Sequence, residues 1–227
     1  MSNIRFVNRG AKTGEIWLYD VIGEDPGFGG MSAKTFTAEL NKLGKVDTIN
    51  LRINSPGGDV WDGNAIYNML KRHPARIEVD IDGVAASIAS VIAMAGDEIR
   101  MASNALFMIH NPYGVARGNA EDMRHKASLL DQVKASLVDT YVKRTGEQAA
   151  VISSFMDDET WFTSSEAVQM GFVDRITDEQ KIAACYSFDL KNFKHPPKAL
   201  IDGATPARDM AAVKLQEQQK RIAGFPA

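Results

Sequence analysis

Cysteine is almost absent from this chain, with Cys185 the single one in 227 residues. One thiol closes no internal disulfide, so the fold does not depend on an oxidising compartment, and Cys185 reads as a small buried hydrophobe. An excess of charge of one sign is lacking too. The formal net charge is -3, which gives bulk electrostatics no reason to gather nucleic acid or an anionic membrane. Long apolar runs are missing. The most apolar stretch, VAASIASVIAMAG at 84–96, is too short to span a bilayer and predicts a buried helix. The opening residues, MSNIRFVNRG, contain no signal-peptide core. A soluble, cytoplasmic protein is expected. HExxH and a cysteine pair are absent and the four histidines lack metal-ligand spacing, which argues against a zinc site. No lysine stands where a Walker loop needs it, and no GxSxG elbow of an α/β-hydrolase occurs. Neither metal nor cofactor is expected.

What is present is ordinary for a globular protein. Apolar residues make up 44% and charged residues 24%, which excludes overall disorder, and the length suits one well-buried domain. Residues 15–22 are β-branched and aromatic and predict a strand. Ser32 caps a helix whose Phe36, Leu40 and Leu43 share a face, closed by Gly44. Ile49, Leu51 and Ile53 alternate along a strand at 46–53. The turn NSPGGD follows, then a helix to about residue 72 with Ile66, Met69 and Leu70 inward, stopped by Pro74. Residues 76–81 predict a third strand, leading into the apolar 84–96 helix. This alternation argues for an α/β fold with crossover connections. Short strands are expected at 98–101 and 105–109. A long amphipathic helix follows at 120–144, with Met123, Leu130, Val133, Leu137 and Tyr141 on one face. It either projects toward a neighbouring subunit or packs on its own sheet. A shorter helix spans 148–156, and Thr163, Glu166 and Gly171 form a capping box and stop. FVDRI at 172–176 closes the pattern. Residues 1–190 are expected to form the domain and 191–227 a tail, flexible in part or ordered by a partner.

Three segments place polar or glycine residues at a strand end or helix start, where α/β folds carry sites. In NSPGGD (54–59), two glycines permit unusual backbone geometry and close approach to N–H groups that could stabilise an anion. The alternative is a plain strand-to-helix turn. In DGVAASIAS (82–90), Ser87 is either a helix cap or a nucleophile. Ser90 reads as a helical serine bonded to a preceding carbonyl. In FMIHNP (107–112), His110 ends an apolar strand, as a base for Ser87 or as a turn histidine. His73, His125 and His195 compete poorly. A serine–histidine pair needs a third group to orient the base, and Asp157, Asp158 and Glu159 in MDDETWF are the candidates. Residue type alone does not choose among them.

With these pieces in place, INSPGGDVWDG (53–63), GVAASIAS (83–90), MIHNP (108–112) and ETWFTSSEAVQMGFVD (159–174) resemble the ClpP family of serine peptidases, and most closely its phage and prophage head maturation branch. The likeness covers roughly residues 14–177. It implies a ClpP/crotonase-like spiral of β-α units with a projecting long helix. It implies Ser87 as nucleophile, His110 as base, and the amides of Gly58 and Ile88 as the oxyanion hole. The gapless match to the third member is Glu159, where the family usually has aspartate; Asp158 or Asp157 are the alternatives. The resemblance further implies a polypeptide substrate, a homo-oligomeric ring or stacked double ring, and scaffold or capsid proteins as substrates. The loop with which ClpP engages its AAA+ unfoldase is not recognised here, which argues against an ATPase partner. An ATPase-associated housekeeping peptidase is the alternative within the family. A crotonase-like acyl-CoA enzyme and a non-catalytic assembly protein are the alternatives outside that activity.

Overall fold

The computed structural model describes residues 5–8, 12–24, 30–179 and 193–196. The chain divides into two compact units, Met1–Ile182 and Ala183–Ala227. The helices and strands of the described residues all lie in the first unit. The tail expected at 191–227 lies outside the described residues apart from 193–196.

The elements in chain order are β1 (Arg5–Asn8), β2 (Thr13–Leu18), α1 (Ala33–Lys42), β3 (Thr48–Ser55), α2 (Val60–Arg72), β4 (Arg76–Ala86), α3 (Ile88–Ala93), β5 (Glu98–Ala102), β6 (Leu106–Ile109), α4 (Ala120–Thr145), α5 (Ala149–Asp157), β7 (Thr160–Thr163), α6 (Ser164–Gln169) and β8 (Arg175–Thr177). Strands β2, β3, β4, β5 and β8 run parallel side by side, and β1 adds an antiparallel edge. This is the expected α/β spiral of β-α units, and the crossovers α1, α2 and α3 supply the helical layer. Alternation decides the faces. Ile16 and Leu18, Ile49, Leu51 and Ile53, Ile77, Val79 and Ile81, and Ile99 and Met101 are all fully or almost fully buried. Each such side chain contributes about 1.5–3 kcal/mol by leaving water. They pack with Phe36 and Leu40 of α1, Ile66 and Leu70 of α2, and the wholly buried α3.

The residues between them face the other way and are tied to one another across the strands. Arg52 binds Asp82 through two nitrogens (2.9 and 2.6 Å), Tyr19 donates to the same carboxylate, and Trp17 lies against the guanidinium (5.3 Å). Arg100 forks onto Asp80 (2.6 and 2.8 Å). Burial pushes the Asp82 carboxyl up, against the pull of Tyr19 and Arg52.

Two sequence expectations are corrected here. The apolar run 84–96 is not one helix. Strand β4 continues to Ala86, and helix α3 occupies only Ile88–Ala93. The cause is a second pairing. The first half of β4 pairs with β5, while Val84–Ala86 turn to pair with Leu106–Met108 of β6. The bend coincides with a register shift between Ile53 and Ser55 in the β3–β4 ladder, where the Asn54 side chain accepts from the Val84 N–H (3.2 Å). The long helix α4 is the second case. Val133, Leu137, Val138 and Tyr141 are buried, but no residue from Ala120 to Gln132 is, and Met123 is exposed rather than packed. Its C-terminal half packs on the unit while its N-terminal half projects. Among the described residues no helix is long and apolar enough to cross a membrane.

Candidate active site

Three strand ends meet at one edge of the sheet. Strands β4 and β6 are parallel, with Ala86 opposite Met108, so Ser87 and His110 each emerge just past the ends of neighbouring strands. Strands β6 and β7 are antiparallel, with Ile109 opposite Thr160. Continuing that register by one residue sets His110 opposite Glu159. The ladder therefore brings together three residues that are 23 and 49 positions apart along the chain (87 to 110, 110 to 159).

Side-chain geometry follows from this placement. His110 Nε2 lies 2.7 Å from Ser87 Oγ. His110 Nδ1 lies 3.9 Å from Glu159 Oε2, within ion-pair range but beyond a hydrogen bond. Glu159 is buried, only 5% exposed, and its other oxygen faces the Trp161 indole N–H at 3.4 Å. Asp157 and Asp158, by contrast, are exposed. Asp157 accepts from Asn111 Nδ2 (2.7 Å) and pairs with Lys134 (2.6 Å). The hydrogen bond from Asn111, with Lys134 beside it, holds its carboxyl below the usual carboxylate range. Asp158 forms the C-cap of α5. Of the three acids, the structure brings Glu159 alone to His110.

The backbone at this edge is unusual in an informative way. Ser87 (φ 55°) and Glu159 (φ 50°) are the two non-glycine residues with positive φ among the described residues. Such conformations cost about 1–3 kcal/mol each and persist only where the surroundings impose them. For Ser87 the imposition is visible. Its N–H donates to Met108 O (3.1 Å), and its carbonyl accepts from Ser90 N–H (3.0 Å) and Ser90 Oγ–H (2.5 Å). The Ser87 side chain makes no capping bond to α3, which disposes of the helix-cap reading. Ser90 is the helical serine bonded to a preceding carbonyl that its position predicts. Sequence reasoning placed Tyr141 only on an apolar face and missed that its hydroxyl meets Ser90 Oγ at 2.7 Å.

The NSPGGD turn packs directly on the serine. A side chain at Gly57 would place its Cβ 2.7 Å from Ser87 Cβ and 2.8 Å from Ala86 O, and Gly57 itself has φ 94°. Ser55 Oγ donates to Asp20 O (2.6 Å) and accepts from Gly57 N–H (3.2 Å), which fixes the start of the turn. The flanking groups of Gly58 are taken by Ile22, which donates to Gly57 O and accepts from Asp59 N–H (2.8 Å each). Asp59 then caps α2 by accepting from the Trp61 and Asp62 amides.

A half-buried serine bonded to a histidine, with a buried carboxylate on the far side of the ring, is the arrangement of a serine hydrolase. Comparison with known proteins narrows the class. Residues 25–180 match the Clp protease family. The chain is 32% identical over 174 residues to the ATP-dependent Clp protease proteolytic subunit 1 of Leifsonia xyli subsp. xyli, covering 74% of this chain and 85% of that one. It is 33% identical over 147 residues to the ATP-dependent Clp protease proteolytic subunit 1 of Protochlamydia amoebophila, covering 63% and 70%. The chain belongs to the Clp protease family, and its activity is that of a ClpP-like serine endopeptidase. Neither relative's name points to the head maturation branch that the sequence suggested.

Proposed function

We propose that this protein hydrolyses polypeptides through an acyl-enzyme, with Ser87 as nucleophile, His110 as base and Glu159 as the group that orients His110. His110 Nε2 takes the Ser87 hydroxyl proton as Oγ attacks the scissile carbonyl. The same nitrogen then protonates the leaving amine, and afterwards draws a proton from the water that releases the acyl group. Glu159 favours the tautomer with the proton on Nδ1 and stabilises the imidazolium. The amides of Gly58 and Ile88 receive the oxyanion. Two features support that pair. Ile22 takes the Gly57 carbonyl and the Asp59 N–H on either side of Gly58, and a Cβ at Gly57 would come within 2.7 Å of Ser87 Cβ and 3.1 Å of Ile88 N, so the glycine turn lies close against the nucleophile and its following amide. Substrate binds extended, its backbone pairing with the irregular segment that follows His110, since the glycine turn leads straight into α2 and offers no strand edge. The 2.7 Å contact between His110 and Ser87 carries this reading.

For the setting, the names of both relatives favour the proteolytic subunit of an ATP-dependent Clp system over phage scaffold or capsid processing. The subunit works as a homo-oligomeric ring fed by an ATPase partner, and the exposed half of α4 suits contact between stacked rings. The test is degradation of one folded and one unfolded protein substrate, with and without a Clp ATPase and ATP, beside Ser87→Ala. ATP-dependent loss of the folded substrate, absent in Ser87→Ala, is the expected result. Cleavage of a coexpressed capsid or scaffold protein at fixed sites, independent of ATP, would replace this setting with the phage one.

A further inference from the structure

We infer that Tyr141 and Ser90 are positioning residues of the oxyanion hole, acting through the Ser87 carbonyl to aim and polarise the Ile88 N–H. The inference rests on the reading of Ser87 as nucleophile and the Ile88 amide as oxyanion donor. The Ser87 C=O and the Ile88 N–H belong to one planar trans peptide and point in opposite directions. Whatever grips the carbonyl therefore sets the direction of the N–H.

The grip has a fixed polarity. A carbonyl oxygen only accepts, so the Ser90 hydroxyl must donate to Ser87 O (2.5 Å). Ser90 Oγ is then the acceptor in its 2.7 Å contact with the Tyr141 hydroxyl. The chain runs from Tyr141 O–H to Ser90 O–H to Ser87 C=O. Burial pushes the Tyr141 phenol up, so it keeps its proton. Ser90 is 0% and Tyr141 2% exposed, so the chain is shielded from bulk solvent. Tyr141 is itself held by the C-terminal half of α4 and stands edge-on to Phe172 (5.8 Å), which packs on Phe107 (5.0 Å) and Phe162 (5.2 Å).

Two consequences follow. Ser87 sits at φ 55° and ψ -130°, and rotation of the Ser87–Ile88 peptide is one way such strain relaxes. The relay opposes that rotation from a rigid aromatic cluster. Hydrogen bonds in series also polarise one another. As negative charge grows on the substrate oxygen and draws on the Ile88 N–H, the Ser87 carbonyl becomes a stronger acceptor for Ser90. The effect belongs to the transition state and not to substrate binding.

The test is steady-state hydrolysis of a fluorogenic peptide together with inhibition by a peptide boronate, whose serine adduct carries an oxyanion. Tyr141→Phe, which deletes one oxygen, is expected to lower kcat about 3- to 10-fold with KM unchanged. It weakens boronate inhibition by the same factor and leaves the affinity for product peptide as it was. Ser90→Ala falls at least as far, Ser90→Thr recovers activity through its hydroxyl, and the double variant is no worse than Ser90→Ala alone. The inference is overturned if kcat and boronate inhibition stay within twofold of wild type. It is equally overturned if the losses lie in KM, or if the two changes multiply in the double variant. If Tyr141→Phe does not assemble, Ser90→Ala and Ser90→Thr are judged by the same criteria. Loss of the underlying reading looks different: wild type itself would show no hydrolysis that depends on Ser87.

Discussion

Glu159 stands where a charge 3.9 Å from His110 Nδ1 must act mainly through space. At an effective dielectric constant near 20, two unit charges at that distance attract by about 4 kcal/mol. If that attraction appears only as the imidazolium forms, its loss corresponds to about three decades in rate, and residual screening by solvent brings this to roughly 10²- to 10³-fold. Glu159→Gln keeps the shape and removes the charge, so kcat on a fluorogenic peptide is expected to fall by that factor with little change in KM. Glu159→Asp separates chemistry from backbone strain. Aspartate tolerates the φ of 50° better than glutamate does, so thermal stability is held or raised. The carboxylate, however, retracts by one methylene from an already long contact, and kcat falls about tenfold or more. Asp157→Asn and Asp158→Asn serve as controls and stay within threefold of wild type. A Glu159→Gln enzyme within threefold of wild type would refute the assignment of the third member.

The remaining expectations concern the turn and the surface near the site. Gly57→Ala forces a Cβ to 2.7 Å from Ser87 and 2.8 Å from Ala86 O, backbone that cannot move aside cheaply. It is expected to destabilise the protein by about 1–3 kcal/mol and to lower peptide hydrolysis more than 100-fold (order of magnitude), read by thermal denaturation and kcat/KM. Asp157 ties the segment after His110 to α4 through Asn111 and Lys134, and its folded pKa is depressed. Its contribution is therefore fully present above the ordinary carboxylate pKa and lost as pH falls through the depressed value. Asp157→Asn is expected to lower Tm by about 1–2 °C near neutral pH, with the difference vanishing in acid. A difference that grows in acid would contradict the assigned partners.

Much of this was legible before any coordinates, and the reasons differ by element. The alternation of Ile49, Leu51 and Ile53 and the spacing of Phe36 and Leu40 report burial directly, because period 2 and period 3.6 are imposed by a single buried face. The caps at Ser32 and Thr163 are local chemistry and needed nothing distant. The apolar stretch from Val84 to Gly96 failed for a physical reason. A run buried on every side has no period, and the pairing of Val84–Ala86 with β6 is a contact between residues about 20 positions apart along the chain. Strand β7 was missed because Thr160–Thr163 is four residues long, yet its antiparallel register is what carries Glu159 to His110. Ser87 and His110 were found through motif order. Residue type did not choose among the three acids; the gapless motif match pointed to Glu159, and its burial near His110, beside two exposed aspartate neighbours, supports that choice. The Tyr141 hydroxyl gave no signal, because an aromatic on a helix face reads as packing whether or not its oxygen has a partner.

The most direct measurement of the central claim is reaction with a fluorophosphonate probe followed by peptide mapping, on wild type, Ser87→Ala and His110→Ala. The account predicts one labelled residue, Ser87, with labelling abolished in Ser87→Ala and strongly reduced in His110→Ala, in step with peptide hydrolysis. Label on Ser90, or hydrolysis that survives in Ser87→Ala, would contradict it.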